Sequence, residues 1–121
     1  MANDFKRFTV PNVNTSTGAS ASAVYTVPSS SSTAVESIVI GITLSNTSAT
    51  GVTASVFLDN YDGSNDVYIV KDASIPAGSS LEVMSGNKLV LQGDGTTNDA
   101  IRVSASASNS VDATVSVLED V

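Results

Sequence analysis

The chain has no cysteine, no histidine and no tryptophan. Without cysteine there is no disulfide, no thiolate nucleophile and no iron–sulfur ligation. Without histidine the usual general base, the usual zinc ligand and the side chain that titrates near neutral pH are missing. Charge is also sparse: 14% of residues are charged, 12 acidic against 5 basic. The net charge of −7 argues against nucleic acid as a direct partner, because phosphate binding rests on Lys and Arg. It favours solubility, or docking on a basic surface. No apolar run approaches the roughly 18 residues of a membrane span, so no membrane partner is expected. The opening MANDFKRFTV lacks an apolar segment of the secretory kind, and no signal peptide is expected. The sequons at Asn14 and Asn46 then carry no weight.

What the chain does have is Val, Ser and Thr, in 121 residues. That length suits one domain, with a core that needs no metal or disulfide. The stretch Ala34–Ser45, AVESIVIGITLS, is the longest apolar run. Period-2 alternation puts Ile38, Ile40, Ile42 and Leu44 on one face and Val39, Gly41 and Thr43 on the other. Both faces are apolar or small, as in a central strand covered on both sides. Ile40→Asp is therefore expected to destroy folding, and Glu36 is expected at the rim of the sheet.

Other segments alternate in the same way. Val52, Ala54, Val56 and Leu58 are expected to face the core, with Thr53, Ser55, Phe57 and Asp59 outside. An antiparallel hairpin between Ile38–Ser45 and Val52–Asp59 is expected. Short strands are expected at Ala23–Val27, Val67–Val70, Ser80–Met84, Lys88–Leu91, Ile101–Ala105 and Ala113–Leu118. Ile75–Pro76–Ala77–Gly78 reads as a turn, and Ser85–Gly86–Asn87 as a hairpin turn. About eight or nine strands at regular spacing indicate an all-β fold, an antiparallel β-sandwich or jelly roll without substantial helix. Residues 1–13 form an N-terminal arm or edge strand, because Pro11 donates no ladder hydrogen bond. Residues 14–121 form a single sandwich domain, with no repeat and no second boundary. If residues 1–13 are an arm, then Phe5, Lys6, Arg7 and Phe8 reach a neighbouring subunit, and deleting Met1–Arg7 weakens assembly more than folding. Tyr25, Phe57, Tyr61 and Tyr68 are candidates for partly exposed aromatics, with Tyr61 an interface candidate.

No catalytic set emerges. Asp59, Asp62 and Asp66 share one loop, where oxygen-rich residues with Gly are weak calcium candidates. The loop does not follow the EF-hand order, and Asp and Asn favour turns by themselves. Asp59 with Asp94 or Asp99 has no separation that the sequence defines, so it does not make a glycoside-hydrolase pair. Ser and Thr are abundant, but there is no G-x-S-x-G and no histidine base. Gly93 and Gly95 make a lone G-x-G without the third glycine or a following helix. No cofactor, metal or enzymatic activity is expected.

The chain resembles small virion structural proteins of tailed bacteriophages of the marine and cyanophage type. The resemblance rests on VYTVP (Val24–Pro28), SIVIGITLSN (Ser37–Asn46), VYIVKDASIPAGSSLEV (Val67–Val83), NKLVLQGDG (Asn87–Gly95), IRVSAS (Ile101–Ser106) and VSVLE (Val115–Glu119). Their order and spacing carry the match, which spans nearly all of the chain past Lys6. The loop from Asp59 to Asp66 is longer than the pattern leads one to expect. The resemblance implies a non-enzymatic virion component, assembled in the host cytoplasm. The first expectation is a capsid decoration (cement) protein that contacts the major capsid protein. A neck or tail adaptor or fibre-anchoring module is the alternative. A carbohydrate-binding module would need an aromatic platform or a calcium site, and the sequence marks neither clearly. A homo-oligomer, or docking on a larger lattice, is expected because a small all-β unit must protect its edges.

Overall fold

The computed structural model describes residues 3–16, 20–27, 36–60, 66–84, 88–93 and 98–120. Among them are nine strands: β1 (Asn3–Val10), β2 (Ser22–Thr26), β3 (Glu36–Asn46), β4 (Val52–Asp59), β5 (Val67–Ile75), β6 (Ser80–Glu82), β7 (Leu89–Gln92), β8 (Ala100–Ala105) and β9 (Val111–Asp120). Two antiparallel sheets result. The five-stranded sheet has the order β1-β9-β3-β6, with β7 also paired to β3; the four-stranded sheet has the order β2-β8-β4-β5. The pairs β1·β9, β2·β8, β3·β6/β7 and β4·β5 are the rungs of one long hairpin with its tip at β4–β5. Rolling that hairpin sends alternate rungs to opposite sheets, which is the strand order of a jelly roll. The all-β sandwich expected from alternation is the fold observed.

The core lies between the sheets. Val39, Ile42, Leu44, Val115 and Val117 come from the five-stranded side, and Val56, Ile101 and Val103 from the other. Each such side chain contributes roughly 1.5–3 kcal/mol when fully buried. β4 has the expected alternation: Val52, Ala54 and Val56 are buried in this core and Leu58 packs against it.

β3 departs from strict alternation. Val39 pairs with Val117 but Gly41 pairs with Ser116, so Ile40 is one residue too many for the partner strand. Such a bulge reverses the inward and outward sets of a strand. Before it Ser37 and Val39 face inward; after it Ile42 and Leu44 do. Ile40 is 40% exposed, not a core residue. Val67, at the start of β5, is exposed as well.

Two expected hairpins are replaced by other pairings. β3 and β4 belong to opposite sheets, so their apolar faces meet across the core instead of their edges pairing. Asn46 organises the crossover. Its Nδ2 donates to the carbonyls of Thr50 and Ile75, each at 2.9 Å. Its Oδ1 accepts from the Ser48 amide at 2.9 Å. This buried amide is consumed by the turn, so the sequon at Asn46 is structural. β6 and β7 do not pair with each other either. Both lie along β3, at Thr43–Ser45 and Glu36–Val39 respectively, so they are two pieces of one interrupted edge. A broken edge resists strand addition. Residues 85–87, the expected turn, lie outside the described residues.

β5 continues past its expected end at Val70. Ala54 pairs with Ala73 and Val56 with Val70, leaving Lys71 and Asp72 opposite Ser55 alone. Asp72 takes φ 52° in this bulge, and its amide donates to Ser55 Oγ at 2.9 Å. The Pro76–Gly78 turn forms as expected, closed by Ser79 N–H to Pro76 O at 3.1 Å with Gly78 at φ 71°.

Candidate functional site

The N-terminal segment is an edge strand. β1 pairs with β9 over eight residues, from Asn3↔Asp120 to Val10↔Ala113. Alternation turns Lys6, Phe8 and Val10 toward the core side and Phe5, Arg7 and Thr9 outward. Phe8 packs on Tyr25 of the opposite sheet, with ring centroids 4.8 Å apart. Lys6 reaches Glu119, whose side chain is 1% exposed, with Nζ–Oε1 at 2.9 Å. Of the four residues expected to meet a neighbour, Lys6 and Phe8 are thus engaged within the chain, and Phe5 and Arg7 face outward.

Glu119 lies at the centre of a buried polar cluster that joins the two sheets. Tyr25 donates its hydroxyl to Glu119 Oε2 at 2.6 Å and lies 2.7 Å from Ser37 Oγ. Burial first, and then the bond to Glu119, push the Tyr25 hydroxyl far above its usual range. It therefore remains a protonated donor. Glu119 Oε1 has no conventional hydrogen bond; what faces it is the Lys6 ammonium. The lone carboxylate is compensated by one cation and one phenol, an arrangement that holds the sheets in register.

The acidic loop is partly visible. Asp59 pairs with Arg102 at 2.8 Å, and Arg102 also donates to the Ala21 carbonyl at 2.8 Å. Asp66 is brought beside Asp59. Its carboxyl is pushed above the ordinary range by desolvation and by the Asp59 charge and hydrogen bond, while Arg102 acts in the opposite direction. Tyr61 and Asp62 lie outside the described residues. Among the described residues no group of three or more His, Cys, Asp or Glu side chains is arranged to hold a metal ion. Asp99 is buried and used structurally, accepting the Gln92 amide at 2.9 Å. Gly93 bridges to Asn98, whose side chain fills the space a Cβ at position 93 would need.

A carboxyl with a raised folded pKa favours the protonated form in the native state. Its contribution to stability is then full at low pH and is lost as pH rises through the raised value. Asp66→Asn mimics the protonated form. The variant is expected to melt at or slightly above the parent temperature at neutral pH and to match it in acid. A variant that melts clearly lower at neutral pH would show that the Asp66 charge is stabilising.

Two outer surfaces remain. On the five-stranded sheet, register aligns Phe5 with Leu118, Leu118 with Ile38, and Ile38 with Val90. These form one apolar row across four strands, roughly 14 Å wide at the usual strand spacing. Phe5 is 77% exposed and Val90 53%. Exposed Ile40 lies along the strand from Ile38, and Arg7 and Glu36 flank the row. The sequence marked only Phe5 of this row. The other three come from distant segments, and no local pattern aligns them.

On the four-stranded sheet the outer face carries a hollow. Ser55 and Ser104 are direct partners on β4 and β8 and form the floor, both buried although they point away from the core. Thr53, Tyr68, Lys71 and Asp72 line the walls of a cavity of about 390 Å³. Phe57, also buried on this face, stacks at 5.3 Å against Tyr68. The bulge at Lys71–Asp72 makes this hollow, and nothing in the sequence signalled that bulge. The chain matches no protein-family model and no curated protein.

Proposed function

We propose that the chain is a non-enzymatic structural component of a phage virion, a capsid decoration protein that stabilises the head by contacting the major capsid protein. The observation that carries this reading is the apolar row Phe5–Leu118–Ile38–Val90, with Ile40 beside it, on a sheet face whose flanking groups are polar. Contiguous exposed apolar surface rimmed by polar groups is characteristic of protein docking sites. The resemblance of the segments quoted above to phage virion proteins names the partner class. Jelly rolls host viral structural domains and lectins alike, so the fold does not choose between them. Charge agrees with docking: an acidic unit of net charge −7 is steered to a basic surface.

The test is location on the particle. Imaging of labelled virions is expected to place the protein on the head, in on the order of hundreds of copies set by capsid symmetry. A location at the neck or tail, in roughly tens of copies, would replace decoration with an adaptor or fibre-anchoring role. Phe5→Asp provides a second check. Phe5 is the most exposed apolar residue of the row, so the change is expected to alter stability by no more than about 0.5 kcal/mol while abolishing rebinding to heads that lack the protein. Undiminished rebinding would remove the apolar row from the interface.

A further inference from the structure

We infer that the hollow on the outer face of the four-stranded sheet is a binding site for a neutral sugar, one or two pyranose rings in size. This site is independent of the docking row, which lies on the opposite sheet. Its volume of about 390 Å³ falls at the small end of the range for ligand sites.

The lining is chemically mixed in the way a polyol requires. Ser55, Ser104 and Thr53 carry hydroxyls, which both donate and accept. Lys71 supplies donors and Asp72 supplies acceptors. The two charges are neighbours of opposite sign, so the site has no net charge that would select an anion or a cation. Tyr68, 42% exposed, adds an apolar wall for the C–H face of a sugar ring. The Lys71 ammonium stands 5.2 Å from the Tyr68 ring centroid, which holds it at the rim of the hollow.

The floor provides the strongest indication. Ser104 is 7% exposed, points away from the core and lines the cavity, so its hydroxyl lies at the bottom of the hollow. The Oγ of its neighbour Ser55 accepts the Asp72 amide at 2.9 Å and faces Asp72 Oδ1 at 3.4 Å. A hydroxyl that opens into a hollow can exchange a water partner for a ligand hydroxyl at little cost. The Ser104 hydroxyl is therefore available to a ligand hydroxyl. Asp72 is set by the Ser55 bond and the bulge, so its carboxylate is presented in a fixed direction, and preorganisation of this kind reduces the cost of binding.

The experiment is a titration of the full-length, isotopically labelled protein with glucose, galactose, mannose, N-acetylglucosamine, maltose, cellobiose and lactose, followed by amide chemical shifts. At least one sugar is expected to give saturable shifts in the millimolar range, centred on Ser55, Tyr68, Lys71, Asp72 and Ser104. Tyr68→Ala and Ser104→Val are each expected to weaken that sugar by about tenfold or more, while Phe5→Asp leaves its affinity unchanged. Tyr68→Ala changes a half-exposed side chain, so it serves if Ser104→Val does not fold. Absence of saturable shifts with all seven sugars would overturn the proposal. So would binding that survives both substitutions, or inorganic phosphate saturating the same amides in place of a sugar. None of these results bears on where the protein sits on a particle, so failure here is separable from failure of the decoration reading.

Discussion

Val39→Asp is expected to abolish folding, whereas Ile40→Asp, one position further on, is expected to give a folded protein. Strict alternation along β3, with both faces covered, instead expects Ile40→Asp to destroy folding. The bulge decides, because it absorbs Ile40 as the unpaired residue between Val39↔Val117 and Gly41↔Ser116. Val39 is fully buried against the core cluster. A carboxylate there is cut off from water, and the inward-facing cation of the same row, Lys6 across Val117, is already held by Glu119; burial of an unpaired charge is among the largest single-residue effects, above about 4 kcal/mol. A domain of this size has only about 5–15 kcal/mol to lose. Ile40 is 40% exposed, so an aspartate there keeps its hydration, and the expected loss is about 1 kcal/mol or less. Soluble expression and thermal melting by circular dichroism decide. A well-folded Val39→Asp variant beside an unfolded Ile40→Asp variant would put the inward face of β3 on the other set of residues.

Lys6→Met is expected to destabilise the protein by about 3 kcal/mol, although nearly half of the lysine side chain is exposed. The cost arises at Glu119, which stays buried with the Tyr25 hydroxyl as its remaining partner. Removing one member of a buried ion pair typically costs about 3–5 kcal/mol, mostly from the charge left behind; the exposure of Lys6 sets this case at the low end. The double variant Lys6→Met/Glu119→Gln removes that charge and is expected to regain at least about 1 kcal/mol over Lys6→Met alone, as coupled neighbours do. Denaturant unfolding of the parent, both single variants and the double variant measures the coupling. Strict additivity would mean that the 2.9 Å ion pair contributes nothing. The same reasoning revises the expected effect of removing residues 1–7. Their loss takes away Lys6 and bares most of the β9 edge, so melting is expected to fall along with assembly. β1 serves folding before it serves any partner.

The extent to which the fold was legible varied with the kind of signal. The inward set of β4 was legible, because Val52, Ala54, Val56 and Leu58 alternate unbroken, but Ser55 and Phe57, expected outside, are buried on the opposite face. β3 was read correctly as a strand and wrongly in phase over its first half, because a bulge has no signature of its own when every neighbouring residue is apolar. Gly41 was the one local hint. The Pro76–Gly78 turn was legible because proline and glycine fix backbone angles locally. The β3–β4 and β6–β7 hairpins were misread because adjacency in sequence does not determine whether two strands pair or face each other. Residues 47–51 are long enough for either outcome, and Asn46 with its bonds to Thr50 and Ile75 selects the crossover.

The candidate surfaces were less legible than the fold. Phe5 could be singled out as an aromatic near a terminus. Leu118, Ile38 and Val90 could not, because three separate pairings place them beside it. Tyr68 was marked as an exposed aromatic, but Ser104 was one serine among many until its register with Ser55 placed both on the floor of one hollow. Glu119 was anonymous in VSVLE, and its burial beside Lys6 and Tyr25 joins residues from both ends of the chain.

By itself the sequence determined the all-β class, the approximate strand positions, the single core and the lack of thiol and imidazole chemistry. These follow from composition and from a period of two, which are local properties of a chain. Tertiary structure alone decided which strands share a sheet, which half of β3 faces inward, that Lys6 compensates a buried Glu119, and where the apolar row and the polar hollow lie. Each of these depends on register between segments far apart in sequence. Register is set by the packing of the whole core and by bulges that shift it one residue at a time.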